Sequence, residues 1–450
     1  MIDITLREIV RATGGTVKGT LPEGPIKSIT SDSRKAVEGS LFIAIPGERV
    51  DGHSFIKGIE DRITAAVVEH EVDALVPQII VGSAYSAVGD IGAYIRQKSG
   101  VTVVGITGSV GKTSVKELTA EVLKQRYNVL KTEKNFNNEL GLPMTLFRLE
   151  KEHEVAVLEM GISHFGEMTR VSNIARPDIA VFTNIENVHT ENLVDRDGVL
   201  RAKTELVSNM RGDTLILNGD DDKLAGYNVP AGKRAEYYGI DTERFVRASD
   251  ITANGLESTG FILHIGDASV SVSLPASGRH MVLNSLAAAA AGHRLGLTLE
   301  EIKRGLESYV PVTGRMTKLS YKGALILNDC YNASPASMTA SLKVLGMAEG
   351  RKLALLGDML ELGERSDELH SSVGCIAAGV GVDLLLTVGE RAQHIAGAAL
   401  KAGAKRVLSV TKDEAASILK NELKKGDTLL VKASRGMALE TVIKSLTEEE

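Results

Sequence analysis

Apolar residues along the chain occur in short continuous runs, and the segments between these runs carry apolar residues at helical spacing. After the run at residues 101–105, for example, Val115, Leu118, Val122 and Leu123 fall on one face of a helix. Continuous runs that alternate with helical segments predict parallel sheets covered by helices on both faces. The predicted strands in the middle of the chain are VTVVG (101–105), VAVLEM (155–160), IAVFTNI (179–185) and TLILNGD (214–220).

A second series of apolar runs follows residues 309–311 and continues almost to the end of the chain. It predicts a second doubly wound α/β unit, of Rossmann-like type. The G-x-G-x-x-G dinucleotide fingerprint is missing from this series, which argues against an NAD site. The predicted strands are ALIL (324–327), LALL (353–356), DLLLTVG (383–389), RVLSV (406–410) and TLLVK (428–432).

Other patterns complete the predicted fold. FILHI (261–265) and SVSVSL (269–274) alternate apolar and polar residues, which predicts a small antiparallel patch. An alanine-rich helix is predicted over NSLAAAAAGHRLG (284–296). Before residue 98, SLFIAI and AAVVEH indicate short strands, and PGERVDGHSF a polar loop. A chain of 450 residues is too long for one core. We therefore predict three α/β domains, at residues 1–98, 99–309 and 310–450, and name them the first, middle and third sections.

Composition excludes several classes of protein. Hydrophobic residues make up 43% and charged residues 24%, as in ordinary soluble proteins. The net charge of −6 and the absence of a basic stripe argue against a nucleic-acid partner. Two unpaired cysteines, Cys330 and Cys375, favour a reducing cytoplasmic location. No signal peptide or membrane span is predicted, and the acidic end, residues 447–450, is expected to be a solvated tail.

The stretch GITGSVGKTS (105–114) carries the strongest chemical signal. The common P-loop spacing requires glycine at position 106, where this chain has Ile106. The context is nevertheless that of a P-loop, because a strand, a glycine turn and an amphipathic helix follow one another. The alternative is a plain strand–helix turn with an exposed lysine. The predicted ATP contacts in this stretch are Thr107, Gly108, Ser109, Val110, Gly111, Lys112, Thr113 and Ser114.

Read as G-x-x-G-x-x-G-K-T, the loop resembles that of the Mur ligase family, the ATP-dependent enzymes that build the peptide of bacterial cell-wall precursors. The resemblance implies that Lys112 reaches the phosphates and that Thr113 ligates Mg²⁺. VLEMG places Glu159 at the end of a strand, where the family has a carboxylate that binds the same ion. By itself, a glutamate at a strand end would more often form a salt bridge.

Two further motifs extend this resemblance. TNIENVHTENL contains His189, and RAKTEL contains Lys203. In the family the histidine ligates a second Mg²⁺, and CO₂ carbamylates the lysine. Without the family, Lys203 would be taken for an ordinary surface lysine. The implied metal ligands are Thr113, Glu159, His189 and carbamylated Lys203, for two Mg²⁺ ions.

The resemblance also implies ATP contacts outside the loop. SGRHMVLN contains Asn284, which the family uses to reach the adenine, although Met281 stands where a second asparagine is often found. PVTGRM and NDCYNASP supply Arg315 for the phosphates, Asp329 near the ribose, and Asn332. The implied catalytic residues are Lys112, Glu159, His189, Lys203 and Arg315.

Three long stretches resemble one branch of the family, which adds D-alanyl-D-alanine to a UDP-N-acetylmuramoyl tripeptide. They are DCYNASP (329–335), LGDMLELGERSDELH (356–370) and VKASRGMALE (431–440). Residues 31–55 resemble the domain that holds the UDP end of such substrates, and residues 132–143 an asparagine-rich family segment. The implied contacts to the UDP substrate are Ser33, Arg34, Gly47, Asp51, His53, Asn137 and Asn138.

The resemblance therefore implies a cytoplasmic, ATP- and Mg²⁺-dependent ligase of peptidoglycan synthesis that works through an acyl phosphate. A monomer is expected, with a third section that closes on the middle one. A sibling ligase adding another amino acid, a P-loop ATPase without ligase activity and a non-catalytic binding module are the alternatives.

Overall fold

The computed structural model describes residues 1–448. Glu449 and Glu450, the end of the predicted acidic tail, lie outside the described residues. Within residues 1–448 the strands form three sheets, and the fold is α/β throughout, as predicted. No helix in this range is both long enough and apolar enough to cross a membrane.

The first sheet has the strand order β1-β5-β4-β3-β2, in which β1 is antiparallel and the other neighbours are parallel. Helix α1 begins with a capping box, in which the Thr5 side chain accepts from Glu8 N and the Glu8 carboxylate accepts from Thr5 N. The elements of this part are α1 (Leu6–Thr13), β1 (Thr16–Lys18), β2 (Ser28–Thr30), β3 (Ser40–Ile43), β4 (Ile63–Val68), β5 (Gln78–Ile80) and α2 (Ala84–Ser99).

The middle sheet has the order β14-β13-β12-β11-β10-β9-β6-β8-β7. Its strands run parallel from β7 to β12, whereas β13 and β14 are antiparallel. The predicted antiparallel patch is therefore the extended edge of this sheet. The strands are β6 (Thr102–Thr107), β7 (Val129–Lys131), β8 (Val155–Glu159), β9 (Ile179–Phe182), β10 (Thr214–Asn218), β11 (Arg234–Gly239), β12 (Val246–Asn254), β13 (Ser258–Ile265) and β14 (Ala268–Leu274).

Helices cover the two faces of the middle sheet. The predicted alanine-rich helix is α9, and its alanines are buried, which lets α9 pack closely on α3. The helices are α3 (Lys112–Leu123), α4 (Gly141–Leu146), α5 (Glu167–Ala175), α6 (Thr190–Leu193), α7 (Arg196–Thr204), α8 (Asp222–Ala225), α9 (Arg279–Arg294) and α10 (Leu299–Glu307).

The third sheet has the order β15-β16-β20-β17-β18-β19, with β15 antiparallel at one edge. The five apolar runs predicted for this part all form strands. The elements are β15 (Thr317–Tyr321), β16 (Ala324–Asn328), α11 (Pro335–Gly346), β17 (Lys352–Gly357), α12 (Ser366–Gly379), β18 (Leu384–Val388), α13 (Ala392–Lys401), β19 (Val407–Ser409), α14 (Lys412–Glu422), β20 (Thr428–Lys432) and α15 (Glu440–Thr447).

The buried apolar residues join the sections unequally. One cluster continues from the first section into the middle one, from Ile4 and Ile91 to Leu142 and Phe182. Arg96 strengthens this junction, since its guanidinium donates to Ala175 O and forms a salt bridge with Asp178. The third section has two apolar clusters of its own, one on each face of its sheet. The domain boundaries at residues 98 and 309 stay predictions.

Candidate functional site

The glycine loop connects β6 to α3 and is pinned against β9. Gly108 has a φ of 142°, and a Cβ there would lie 2.0 Å from Thr183 Oγ1. The Thr183 hydroxyl donates to Val110 O at 2.6 Å, and Ser109 N donates to Asn184 O at 2.9 Å. Glycine is required at position 108 because a side chain has no room there. Ile106 is fully buried in the strand, so the loop begins later than in the common motif.

The amino end of α3 is arranged to receive an anion. Gly111 precedes the helix with a φ of 86°, and no side chain caps the first turn. The Lys112 Nζ folds back on the loop and donates to Gly108 O at 2.7 Å and Ser109 O at 3.1 Å. Burial lowers the pKa of Lys112 to about 8, and the charge of Arg315 acts in the same direction. A phosphate at this point would meet backbone N–H groups, a helix dipole and an ammonium group.

Glu159 lies beside this loop because β6 and β8 are paired with Ile106 opposite Glu159. Its side chain is buried, and Oε1 accepts from Asn137 Nδ2 at 3.0 Å. Oε2 is also buried, and it has no hydrogen-bond partner in the described part of the chain. A buried carboxylate oxygen without a partner is costly unless a ligand or ion completes it.

Arg315 reaches across the cleft from the third section to the loop. Its Nη2 donates to Thr113 Oγ1 at 3.1 Å, and its guanidinium lies 4.2 Å from the centre of the Tyr331 ring. Tyr331 belongs to the predicted NDCYNASP motif and supports the guanidinium by cation–π contact. Tyr331 and Thr113 thus hold the planar Arg315 guanidinium at the phosphate end of the site.

His189 also takes part in a contact across the cleft. Its Nδ1 is hydrogen-bonded to Glu361 Oε2, and the neighbouring Thr190 hydroxyl donates to Leu362 O at 3.0 Å. Both partners are non-glycine residues in the left-handed region, with φ of 53° at His189 and 63° at Glu361. Burial lowers the pKa of His189. Glu361 was not among the predicted site residues, because nothing in the polar sequence around it indicates which residue it contacts.

Lys203 is a buried lysine on α7, 1% exposed. Within residues 1–448 no carboxylate lies within salt-bridge distance of its Nζ. Burial lowers its pKa well below the usual value, and the positive charge of Lys112 lowers it further. The interpretation of Lys203 as an ordinary surface lysine is therefore wrong.

Two cavities meet at Arg315. One has a volume of about 280 Å³ and is lined by the loop, Glu159, His189, Glu361 and Arg435. The other, of about 560 Å³, lies between α9 and α11 and is lined by Met281, Asn284, Tyr309 and Asp329. The smaller cavity extends from the glycine loop to the metal-ligand candidates, and the larger one extends from the loop to Asn284, the adenine candidate.

The larger cavity contains the predicted nucleoside contacts. Asn284 is buried, and its Oδ1 would lie 2.7 Å from a Cβ at Gly111. Asp329 forms an ion pair with Lys432 at 2.5 Å and accepts from the Ser341 hydroxyl at 2.7 Å. Asn332 contributes its carbonyl oxygen to the same lysine, at 3.0 Å, and lines the smaller cavity.

His280 lies in the larger cavity as well, although sequence analysis did not single it out. Burial lowers its pKa to about 4. His280 directly precedes Met281 in the SGRHMVLN motif, and this position beside the predicted adenine contacts could have indicated its place in the cavity.

The predicted UDP contacts are divided between the first section and the middle one. Arg34 is exposed and forms a salt bridge with Asp32, and it follows Ser33 in a short 3₁₀ turn. Gly47 lies in a separate loop, where its N–H donates to Val50 O. His53 is buried, with Nδ1 on Asp51 at 2.6 Å and Nε2 accepting from Glu69 N at 2.8 Å. Both of its ring nitrogens are thus engaged within the first section.

The asparagine pair predicted for the UDP substrate belongs to the middle section. Asn137 is held by Glu159, as described above, and Asn138 Oδ1 accepts from Gly141 N at 2.8 Å at the start of α4. Asn137 therefore contacts Glu159, which is one of the metal-ligand candidates.

Comparison with known proteins agrees with this arrangement. Residues 25–104 match the Mur ligase family catalytic domain, residues 106–292 the Mur ligase middle domain, and residues 314–435 the Mur ligase glutamate ligase domain. The chain is 36% identical to the UDP-N-acetylmuramoyl-tripeptide--D-alanyl-D-alanine ligase of Escherichia coli, covering 100% of this chain and 99% of that protein. The chain belongs to the Mur ligase family.

Solved structures of similar proteins share the whole fold. A crystal structure of MurF from Acinetobacter baumannii superposes with a TM-score of 0.91 at 34% identity and covers 99% of each chain. The MurF ligase of Thermotoga maritima in complex with ADP gives a TM-score of 0.84 at 30% identity, covering 94% of this chain and 97% of that one. The three-part architecture is thus that of the MurF structures.

Proposed function

We propose that this protein is an ATP-dependent ligase that joins D-alanyl-D-alanine to the carboxylate of a UDP-N-acetylmuramoyl tripeptide, with ADP and phosphate as the other products. The cleft carries the proposal: a glycine loop with Lys112, a buried carboxylate at Glu159, and Arg315 from the facing section meet around one cavity. The full-length similarity to ligases with that name supports the choice of substrates.

The first chemical step would bring two anions together. A carboxylate is a poor acylating agent, so ATP transfers its γ-phosphoryl group to the tripeptide carboxylate, which gives an acyl phosphate and ADP. Two unit negative charges about 4 Å apart repel by roughly 4 kcal/mol at an effective dielectric constant of 20. Lys112 and Arg315 oppose this repulsion, because both direct positive charge at the loop.

The second step uses the amine of the dipeptide. The free amine attacks the acyl carbon and a tetrahedral intermediate forms; its C–O bond to phosphate then breaks, and the nitrogen releases a proton to solvent as the peptide bond is completed. The chain holds the reacting groups in one cavity between two sections, and this positioning accounts for a large part of the expected rate enhancement.

The residues at the loop fit Mg²⁺, which prefers oxygen ligands. Glu159 Oε2 is buried without a partner among the described residues, and the Thr113 hydroxyl lies on the loop. Bound there, Mg²⁺ would neutralise phosphate charge. Within residues 1–448 no group of three or more His, Cys, Asp or Glu side chains forms a metal cluster. A second Mg²⁺ at His189 and a carbamate on Lys203 are part of the proposal.

A cytoplasmic monomer with domains at residues 1–98, 99–309 and 310–450 also belongs to the proposal. The first section would hold the UDP end through Ser33, Arg34, Gly47 and Asp51, with Asn137 and Asn138 on the middle section. Size-exclusion chromatography with light scattering tests the monomer, and a dimer mass would contradict it.

The deciding experiment measures phosphate release from ATP with the UDP-muramoyl tripeptide, with and without D-alanyl-D-alanine. We expect release that depends on the dipeptide, and a product heavier by one dipeptide residue unit in mass spectrometry. ATP hydrolysis indifferent to both substrates would assign the chain to the P-loop ATPases instead. A product formed only with another amino acid would identify a sibling ligase.

A further inference from the structure

The smaller cavity has a carboxylate in an unexpected place. From the third section, its charged lining residues are Arg315, Glu361 and Arg435. Arg315 donates to Thr113 beside the loop, whereas Glu361 lies next to His189. The negative charge of Glu361 and the positive charge of Arg435 have no part in the phosphate chemistry derived above.

A negative charge at this wall is unfavourable for two of the three substrates. The γ-phosphate and the tripeptide carboxylate both enter this cavity as anions under the proposed function, and a third carboxylate repels them. The third substrate enters as a cation at one end, because an α-amino group has a pKa near 8. Among the three substrates, Glu361 is therefore complementary only to the dipeptide amine.

The wall is rigid and holds the two charges as neighbours. Leu360 N donates to Ser434 Oγ at 2.9 Å, and Ser434 N donates to Asp358 O at 3.0 Å, so the residues that precede Glu361 and Arg435 are bonded to each other. Asp358 in turn accepts from Ala392 N at 2.7 Å, which fixes the segment to α13. Glu361 keeps its left-handed backbone within this frame. Strained residues held in such a frame are concentrated at functional sites.

We propose that Glu361 and Arg435 form the binding site for the zwitterionic dipeptide, with Glu361 on its ammonium group and Arg435 on its free carboxylate. This inference rests on the proposed function, which requires an amine substrate. Glu361 uses Oε2 for His189, and no donor contacts its Oε1 among residues 1–448. The Arg435 side chain is exposed and bonded through Nη1 to Glu440 at 3.0 Å, which leaves its other nitrogens open to a carboxylate.

The arrangement also orients the amine. An ammonium on Glu361 would lie beside His189, in the cavity that Glu159 and the glycine loop also line, and it would lose a proton to water before attacking as the free amine. Holding the amine by one charge and the carboxylate by another fixes the direction of attack, which is worth more to the rate than affinity alone.

The test compares steady-state kinetics of the full-length wild type with Glu361→Gln, Arg435→Gln and the control Glu364→Gln, which is exposed on the same segment. We expect Glu361→Gln to raise the KM for D-alanyl-D-alanine about ten- to a hundredfold, as for a lost charge-assisted hydrogen bond, without a matching change in the KM for ATP or the nucleotide. Glu364→Gln should behave as the wild type.

A substrate-side experiment tests Arg435. D-alanyl-D-alaninamide keeps the ammonium group and lacks the carboxylate, so the wild type should bind it more weakly than the free acid. Arg435→Gln should bind both with the same KM, since the charge that tells them apart has been removed. Thermal melting of each variant confirms that the fold is retained.

The outcomes separate the two proposals. A wild type that makes no dipeptide adduct overturns both the function and this site. A wild type that makes the adduct, with Glu361→Gln unchanged in its dipeptide KM or weakened equally for all three substrates, overturns the dipeptide site alone. Equal weakening would identify Glu361 as a structural contact that joins the two sections through His189.

Discussion

Lys203 differs from Lys116, another buried lysine, in the charged groups around its ammonium group. Lys116 is equally buried, yet its ammonium pairs with Glu117 at 2.9 Å and donates to Thr132 O at 2.8 Å. Lys203 has no such carboxylate among residues 1–448, and burial lowers its pKa well below the usual value. An uncharged amine is the form that adds to CO₂, and the resulting carbamate would be an anion within reach of the positive charge of Lys112.

The prediction for Lys203 follows from this difference. With isotopically labelled bicarbonate, we expect a carbamate NMR signal from the folded protein that disappears in Lys203→Met. Lys116 serves as the internal control, since its paired ammonium should remain unlabelled. A signal of the same size in Lys203→Met would show that the carbamate forms elsewhere.

For Lys112, the expected effect is on turnover. Lys112→Met should lower kcat by about 10²–10³-fold, because it removes one preorganised cation from the transferring phosphoryl group. The KM for the UDP substrate should change little, since the first section provides the proposed UDP contacts. Lys124→Met, at an exposed lysine directly after the same helix, is the matched control. A variant that kept most of its ligase rate would contradict the role given to the loop.

At the residue scale, most residues of the loop site could be predicted from the sequence, whereas the contacts made by the third section could not. Lys112 and Thr113 belong to one short motif, and Glu159 ends a strand whose pairing with β6 follows from parallel-sheet rules. The contact of His189 with Glu361 joins residues 172 positions apart. It depends on how the third section is placed on the middle one, and no local pattern records that placement.

Elements were predictable where they are buried, and they were missed where they are short or polar. The five predicted strands of the third section have continuous apolar runs, which give a strong signal. The missed strands are β1, β2 and β5 in the first section, β7, β11 and β12 in the middle one, and β15 in the third. Strands β1, β2, β5 and β7 have three residues each, β15 is an exposed edge, β11 begins with an arginine, and more than half of β12 is polar. Tertiary pairing therefore decides their conformation.

Close packing of α10 on α3 gives a prediction at the element scale. A Cβ at Gly305 would lie 2.3 Å from Val122 Cα and 2.8 Å from Glu121 O, both at the far end of the helix that begins at the glycine loop. Gly305→Ala should lower the free energy of unfolding by about 1–3 kcal/mol, as overpacking does. The denaturation midpoint in urea measures the change.

The matched control is Gly379→Ala at the end of α12. A Cβ there has nothing within 4 Å, and the backbone is helical, so alanine should leave stability unchanged or raise it. If Gly305→Ala were as stable as Gly379→Ala, the two helices would not be packed as closely as described.

At the scale of the whole molecule, the apolar clusters divide the chain in two. The first and middle sections share one continuous core, whereas the third section has separate cores. It meets the middle section at Leu256 and at polar contacts such as Arg315 with Thr113 and Lys318 with Glu257. Polar interfaces between separate cores are those that allow relative motion. The two cavities lie along this interface, so motion of the third section changes their size.

Closure of the third section on its substrates is therefore the final prediction. Small-angle X-ray scattering should show a smaller radius of gyration when a non-hydrolysable ATP analogue and the UDP substrate are both present, because the proposed ATP contacts lie on both sides of the cleft, at Lys112 in the middle section and at Arg315 in the third. Lys112→Met, which weakens the hold on the phosphates, should compact less under the same conditions. An unchanged radius in the wild type would mean that the cleft is already in its working geometry, and that Arg315 and Glu361 reach the substrates without domain motion.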